Sequence, residues 1–190
     1  MKAGLAALFI GSLLAGCTSL PPSAMPARDK VRDFALDARF ALRVSLPDQA
    51  PQSSGGRLSW THKNGDNHVL LSSPLGYGMA EIETTPTLSR LRTADGKTYE
   101  SPDPDALIEE VTGQPLPVTR LPAWLLGRSN GSAQIDSDQR QRPTRLREAG
   151  WQIDYAYDDE TPAALPARLT LSREPEIELR LRIEEWKENP

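Results

Sequence analysis

Gly127-Arg128-Ser129-Asn130-Gly131 fits G-x-S-x-G, the turn that exposes a nucleophilic serine in hydrolases. That turn needs a strand before it and a helix after it, with the base histidine later in the chain. Here the pattern predicts a helix before and a polar, strandless stretch after. Both histidines, His62 and His68, precede the serine. A helix end followed by a loop accounts for the glycines. Gly96-Lys97-Thr98 closes like a phosphate-binding loop, but that loop needs a glycine five residues before its Gly-Lys pair, and position 91 is Leu. His62 and His68 lie across a hairpin with no carboxylate or thiol cluster expected nearby, and two imidazoles do not make a zinc site. Glu109-Glu110 and Glu184-Glu185 read as solvated faces. No catalytic residue, metal site or cofactor is assigned, and the chain is not expected to be an enzyme.

The remaining reactive group is Cys17, the one cysteine in the sequence. It ends a leader that starts Met1-Lys2 and runs apolar from Ala3 to Ala15, too short to span a bilayer. Leu14-Ala15-Gly16-Cys17 has the form of a lipobox, in which the thiolate takes a diacylglyceryl group. Residues 1–16 are thus expected to be a lipoprotein signal peptide. Thr18 follows where inner-membrane lipoproteins carry Asp, so the outer membrane is the expected address, with the chain facing the periplasm. A single cysteine forms no internal disulfide, so the fold must rest on its core. Removing Lys2 with the leader takes 22 basic side chains to 21 against 26 acidic, a net charge of −5. That balance disfavours nucleic acid. Residues 17–190 suffice for one domain.

Stepping along the chain, "TSLPPSAMPA" holds three prolines without periodicity, and residues 17–27 read as a lipidated tether to a single domain over 28–190. "RDKVRDFALDA" is predicted as a short helix with Val31, Phe34 and Ala35 on one side. From Arg39 the period becomes two: Phe40, Leu42, Val44 and Leu46 alternate with polar or small residues, as in a half-buried strand. "GGRLSWTHK" continues it, Asn64-Gly65 marks a tight hairpin, and "NHVLLSS" returns. Strands follow through Ile82 and around Leu88 and Leu91. Residues 104–112 read as a helix with Leu107, Ile108 and Val111 on its apolar face, stopped by Gly113. A second short helix in "PLPVTRLPAWLLG" must begin near Leu121 to tolerate Pro122. Strands resume after 143, and Ile177, Leu179, Leu181 and Ile183 give the clearest alternation.

Short hairpins imply antiparallel pairing, and one-sided strands must bury their apolar face. A sandwich would do this, as would one sheet wrapped round the central helices. The helices interrupt a single run of hairpins, which favours the second: a mainly β chain with a strongly curved antiparallel sheet and a helical cover.

"SSPLGYGMAEIE", "LIEEVTGQPLPVTRLPAWLLG" and "LTLSREPEIELRLRIEEW", in that order and spacing, resemble the LolB family of outer-membrane lipoproteins. The resemblance runs from the lipobox to Trp186 and is weak in the N-terminal helix and over 128–145. It implies an incomplete β-barrel with a helical lid over an apolar cavity, which accepts lipoproteins from the periplasmic carrier LolA and inserts them into the inner leaflet of the outer membrane. It also implies a protruding hairpin whose apolar tip residue is needed for insertion. By motif position that residue is Leu75, held outward by Pro74 and Gly76, with Tyr77 at the interface.

No nucleotide motif is present, so transfer must run downhill between affinities, and aliphatic walls give burial without directional bonds. Phe40, Leu42, Leu58, Trp60, Leu107, Ile108, Leu121, Leu179 and Leu181 are the residues expected to line the acyl-chain cavity of a monomer. The alternative for each is a closed core. The competing functions are a structural or assembly lipoprotein acting as a docking module and, on Ser129 alone, an esterase.

Overall fold

The computed structural model describes residues 27–173 and 175–187. The expected leader, Cys17 and tether residues 17–26 lie outside them. Residues 28–30 form a turn closed by Lys30 N donating to Ala27 O at 2.7 Å, and strand β1 (Phe34–Val44) follows. The helix expected over this stretch is therefore not formed. Val31, Phe34 and Ala35 do share a helical spacing, but Phe34, Leu36 and Ala38 also alternate. The second pattern wins because neighbours on both sides pair with it: Phe34 packs edge-on against Trp60 and Trp186, and Phe34, Leu36 and Ala38 are all buried.

The chain continues as β2 (Gln52–Lys63), β3 (Asp66–Ser72), β4 (Gly78–Thr84), β5 (Ser89–Thr93) and β6 (Thr98–Ser101). Helices α1 (Pro104–Thr112) and α2 (Leu121–Leu125) follow, then β7 (Gln134–Ser137), β8 (Pro143–Glu148), β9 (Trp151–Ala156), β10 (Arg168–Arg173) and β11 (Ile177–Lys187). All eleven strands form one open, curved antiparallel sheet in the order β6-β5-β4-β3-β2-β1-β11-β10-β9-β8-β7. β1 and β11 thus meet in the middle, and the helices bridge the interval between the edge strands β6 and β7. β7 falls within the stretch expected to be strandless. No helix among the described residues is long and apolar enough to cross a membrane.

Gly56 allows the sheet its tight curvature in β2. A Cβ there would fall 2.0 Å from the Ser72 carbonyl oxygen and 3.2 Å from the Phe40 ring, so only glycine fits between these neighbours. The register gives the sheet two ends. Phe34 pairs with His62, so chain entry lies beside the Asn64-Gly65 turn and the 85–88 turn, at what we term the upper end. The turns at 73–77, 94–97 and 149–150 lie at the lower end.

The inward faces of β1, β2 and β8–β11 make the main core with Trp124, Leu125 and Leu126. A second, smaller core joins Leu91 of β5 to Leu107 and Ile108 of α1. α1 begins where the Asp103 side chain accepts from Asp105 N and Ala106 N, and ends at Gly113 with φ 69°. α2 begins at Leu121, so Pro122 sits in its first turn, where no amide is missed.

Candidate functional site

A cavity of about 770 Å³ lies on the concave side, between β1–β4 and β11 on one wall and residues 116–130 on the other. The walls follow from register. Phe40 pairs with Leu181 and Leu42 with Leu179, so these four side chains share the inner face. Leu58 and Trp60 pair with Leu71 and Val69 on the same face. Phe40, Leu42, Leu58, Trp60, Leu179 and Leu181 all line the cavity.

Three of the expected lining residues do not. Leu107 and Ile108 are 0% and 3% exposed and pack on Leu91, and Leu121 packs against the main core. The reason is where α1 lies. Its apolar face meets β5, and Asp105 ties it to Thr119, whose N and Oγ1 donate to the carboxylate at 2.9 Å each. The cover over the cavity is instead the segment around α2, with Leu116, Val118, Ala123 and Leu126. Val69, Leu71 and Ile82 also line it and were missed; Leu70 between Val69 and Leu71 hides their alternation in the sequence.

The cavity is not uniformly apolar. At its upper end Asn67 Oδ1 accepts from Trp60 Nε1 at 3.0 Å and lies 2.8 Å from His62 Nδ1, while Asn67 Nδ2 donates to Thr84 Oγ1 at 2.9 Å. Because Asn67 Oδ1 only accepts, the proton in that contact belongs to His62 Nδ1. Arg32 and Arg128 line the same end. Arg128 donates to the carbonyls of Val31, at 2.7 Å, and Arg28. Burial, then the charges of Arg32 and Arg28, hold its pKa below the usual guanidinium value, with Asp29 as a smaller opposing influence.

The cover is fastened from below. Glu148 of β8, whose side chain is 3% exposed, accepts from Trp124 Nε1 and from Arg120 Nη1, both at 2.7 Å. Tyr155 Oη donates to the Trp124 carbonyl at 2.9 Å. These bonds hold α2 on the sheet.

At the lower end the β3–β4 turn presents Leu75, 84% exposed, with Tyr77 at 72%. Gly76 N donates to Ser73 O, and Ser73 N to Tyr77 O, both at 2.8 Å; Gly76 has φ 89°. This is a three-residue hairpin loop closed by a left-handed glycine. The β5–β6 turn repeats it. Gly96 N donates to Thr93 O at 2.9 Å, Thr93 N donates to Lys97 O at 3.0 Å, and Gly96 has φ 82°. The position of Leu75 is there taken by Asp95, so the backbone of such a loop does not call for leucine. The Lys97 and Thr93 side chains hold the Asp95 carboxyl down to about 2.

Ser129 lines the cavity, but α2 precedes it and β7 follows, the reverse of the hydrolase order. Its Oγ accepts from Gly131 N at 2.9 Å. Gly127, at φ 66°, ends α2. The carboxylate surroundings of His68 differ from expectation. Strand pairing places Glu81 and Glu83 beside it, with His68 Nε2 2.9 Å from Glu81 Oε1. The group lies on the outer face, and Arg92 and Arg90 stand 3.9 and 3.7 Å from its two acids. It is a cross-strand charge ladder.

Comparison with known proteins agrees with this architecture. The family model described as "Outer membrane lipoprotein LolB" matches residues 32–186. The chain is 70% identical to the outer-membrane lipoprotein LolB of Dechloromonas aromatica over 190 residues, all of both chains. It is 33% identical to that of an Azoarcus species over 93% of this chain and 91% of the relative. With the Bordetella petrii protein it shares 34% over 84% and 81%. A LolA superfamily protein from Nitrosomonas europaea superposes with a TM-score of 0.49 at 11% identity, covering 86% of this chain and 90% of that one, too loose a likeness to carry argument. With the family model spanning most of the sequence and a relative of equal length at that identity, this chain belongs to the LolB family of outer membrane lipoproteins.

Proposed function

We propose that this chain receives lipoproteins from the soluble periplasmic carrier LolA, shelters their acyl chains in the cavity, and passes them to the inner leaflet of the outer membrane. In this reading it is a monomer anchored through lipidated Cys17 and facing the periplasm. The observation that carries the reading is the half-open cavity of about 770 Å³ walled by aliphatic and aromatic side chains. A methylene left in water costs about 0.8 kcal/mol, so one sixteen-carbon chain costs on the order of 12 kcal/mol. Crossing the periplasm unaided would be very slow. A cavity of this kind lowers that cost without directional bonds that would stall release. No nucleotide is required if affinity rises from carrier to receptor to bilayer, since about 1.4 kcal/mol is a tenfold bias.

Volume sets a further condition. If each methylene takes the ~30 Å³ of a water molecule, one such chain needs about 500 Å³. The cavity as it stands holds one chain, whereas a triacylated lipoprotein brings three.

Leu75 supplies the exit. Beside a bilayer an outward leucine enters the headgroup–acyl boundary and offers bound chains an apolar path. The test is Leu75→Glu in a reconstituted transfer assay. Transfer from carrier to this chain is expected to persist while release into liposomes stops. Unchanged release removes the loop from the mechanism. Failure of the purified mature chain to take up a fluorescent fatty-acyl probe removes the cavity from it.

A further inference from the structure

The lining residues, ordered by strand register, form a gradient. At the upper end stand His62, Asn67 and Thr84, paired across β2, β3 and β4, with Arg32 and Arg128 beside them. At the lower end stand Leu42, Leu71 and Leu179. Leu71 is the last inward residue of β3 before the loop carrying Leu75. Arg32 and Arg128 bring guanidinium donors to the polar end. His62 Nδ1 and Trp60 Nε1 both point their protons at Asn67 Oδ1, which fixes the His62 tautomer and leaves its Nε2 outside that bond. Arg32 forms no ion pair among the described residues. Arg28, Arg32 and Arg128 stand together with Asp29 near them, and Asp33 accepts from Asn64 N at 2.9 Å at the same end, so three guanidiniums stand against two carboxylates.

We infer that a ligand lies in this cavity with one polarity: its ester- and amide-bearing head at the Arg32–His62–Arg128 end, and its hydrocarbon tails toward Leu42, Leu71 and Leu179 beneath the Leu75 loop. The inference rests on the reading of the cavity as an acyl-chain site and adds a direction to it. The head of a lipid-modified cysteine carries ester and amide carbonyls, which accept hydrogen bonds. A guanidinium only donates, so Arg32 and Arg128 match it. The lower end offers no such partners, and placing carbonyls there would leave them unpaired in an apolar wall. The tails then face the end of the molecule that bears the exposed leucine and reach a bilayer first. The polypeptide attached to the head leaves from the opposite end, clear of the membrane.

Paramagnetic broadening tests the direction directly. The probes are two methyl esters of stearic acid, one with a nitroxide near the ester and one with it near the terminal methyl. The protein is the isotope-labelled mature chain 17–190 carrying Cys17→Ser. The ester-proximal label is expected to erase the amide signals of Arg32, His62 and Asn67, and the methyl-terminal label those of Leu42, Leu71 and Leu179. The reverse pattern, or the same signals lost with both labels, overturns the orientation and leaves the cavity reading intact. If neither label broadens any lining residue, the cavity takes up no acyl chain and both readings fall.

Discussion

Phe40 and Leu107 are both apolar and both face inward, yet they differ in what lies beyond them. Leu107 is fully buried against Leu91, whereas Phe40 borders open volume. Leu107→Ala is therefore expected to cost about 2–5 kcal/mol of stability through loss of contacts and the cavity left behind. Phe40→Ala should cost less than that, since part of the ring borders open volume rather than packed neighbours, and should instead weaken uptake of an acyl probe. Chemical denaturation and probe titration on both variants check the pair; equal destabilisation would make Phe40 an ordinary core residue. Alternation identified which side chains point inward on β1, β2 and β11. It does not say what the inner face meets, which is why Leu107, Ile108 and Leu121 were assigned to the cavity and belong to the cores. Leu75 was reached by motif position in the family resemblance, since an apolar residue in a turn could equally fold back on the core; its exposure, in a loop whose twin carries Asp95, comes from the structure.

Among the elements, α2 is the one held most specifically. It has five residues, too few to be stable by itself. Its place depends on the Glu148 carboxylate, which accepts from the Trp124 indole and the Arg120 guanidinium. Glu148→Ala leaves a buried indole N–H without a partner and is expected to destabilise by about 1–3 kcal/mol, with Arg120 partly compensated by water. Because α2 carries part of the cavity cover, the same variant should quicken amide exchange across 116–130 more than in β1 or β11. Uniform exchange would show that Glu148 does not fasten the cover in particular. The bounds of α1 and the start of α2 were readable from Asp103, Gly113 and Pro122, whose backbone demands are local. The beginning of β1 was not, because Phe34 fits both periods and distant strands decide between them. β7 is an edge strand of four residues, and one turn of alternation, Gln134 to Ser137, leaves little signal.

At the scale of the whole molecule, the two tyrosines that close the β8–β9 side respond to alkali. Burial pushes Tyr155 far above its ordinary value and Tyr157 up to about 12; their hydroxyls donate to the carbonyls of Trp124 and Pro143. The folded state thus keeps both protonated at a pH where the unfolded chain, with tyrosine near 10, releases the protons. Their contribution is intact below about pH 10 and falls as pH rises toward 12. Tyrosinate absorbance from these two residues is expected to appear together with loss of the β-sheet circular dichroism, and to precede it only if they are open to solvent. A single antiparallel meander was readable from hairpin spacing, and its curvature was favoured by the interrupting helices. The Gly56 contact that allows that curvature was not visible, since it joins β2 to a carbonyl sixteen residues away.

Chain entry at the upper end of β1 and Leu75 at the lower end also set a question of reach. Strand β1 has eleven residues, about 35 Å of rise. Ten peptide steps separate Cys17 from Ala27, and fully stretched they cover roughly the same 35 Å. With the proposed lipid on Cys17, the leash is about as long as strand β1. For the mooring and the leucine to touch one leaflet together, the leash must run taut beside the barrel or the barrel must recline. Slack enough for both an upright posture and free rotation is not in those ten steps, so the proposed anchor would help choose which end of the molecule meets the membrane.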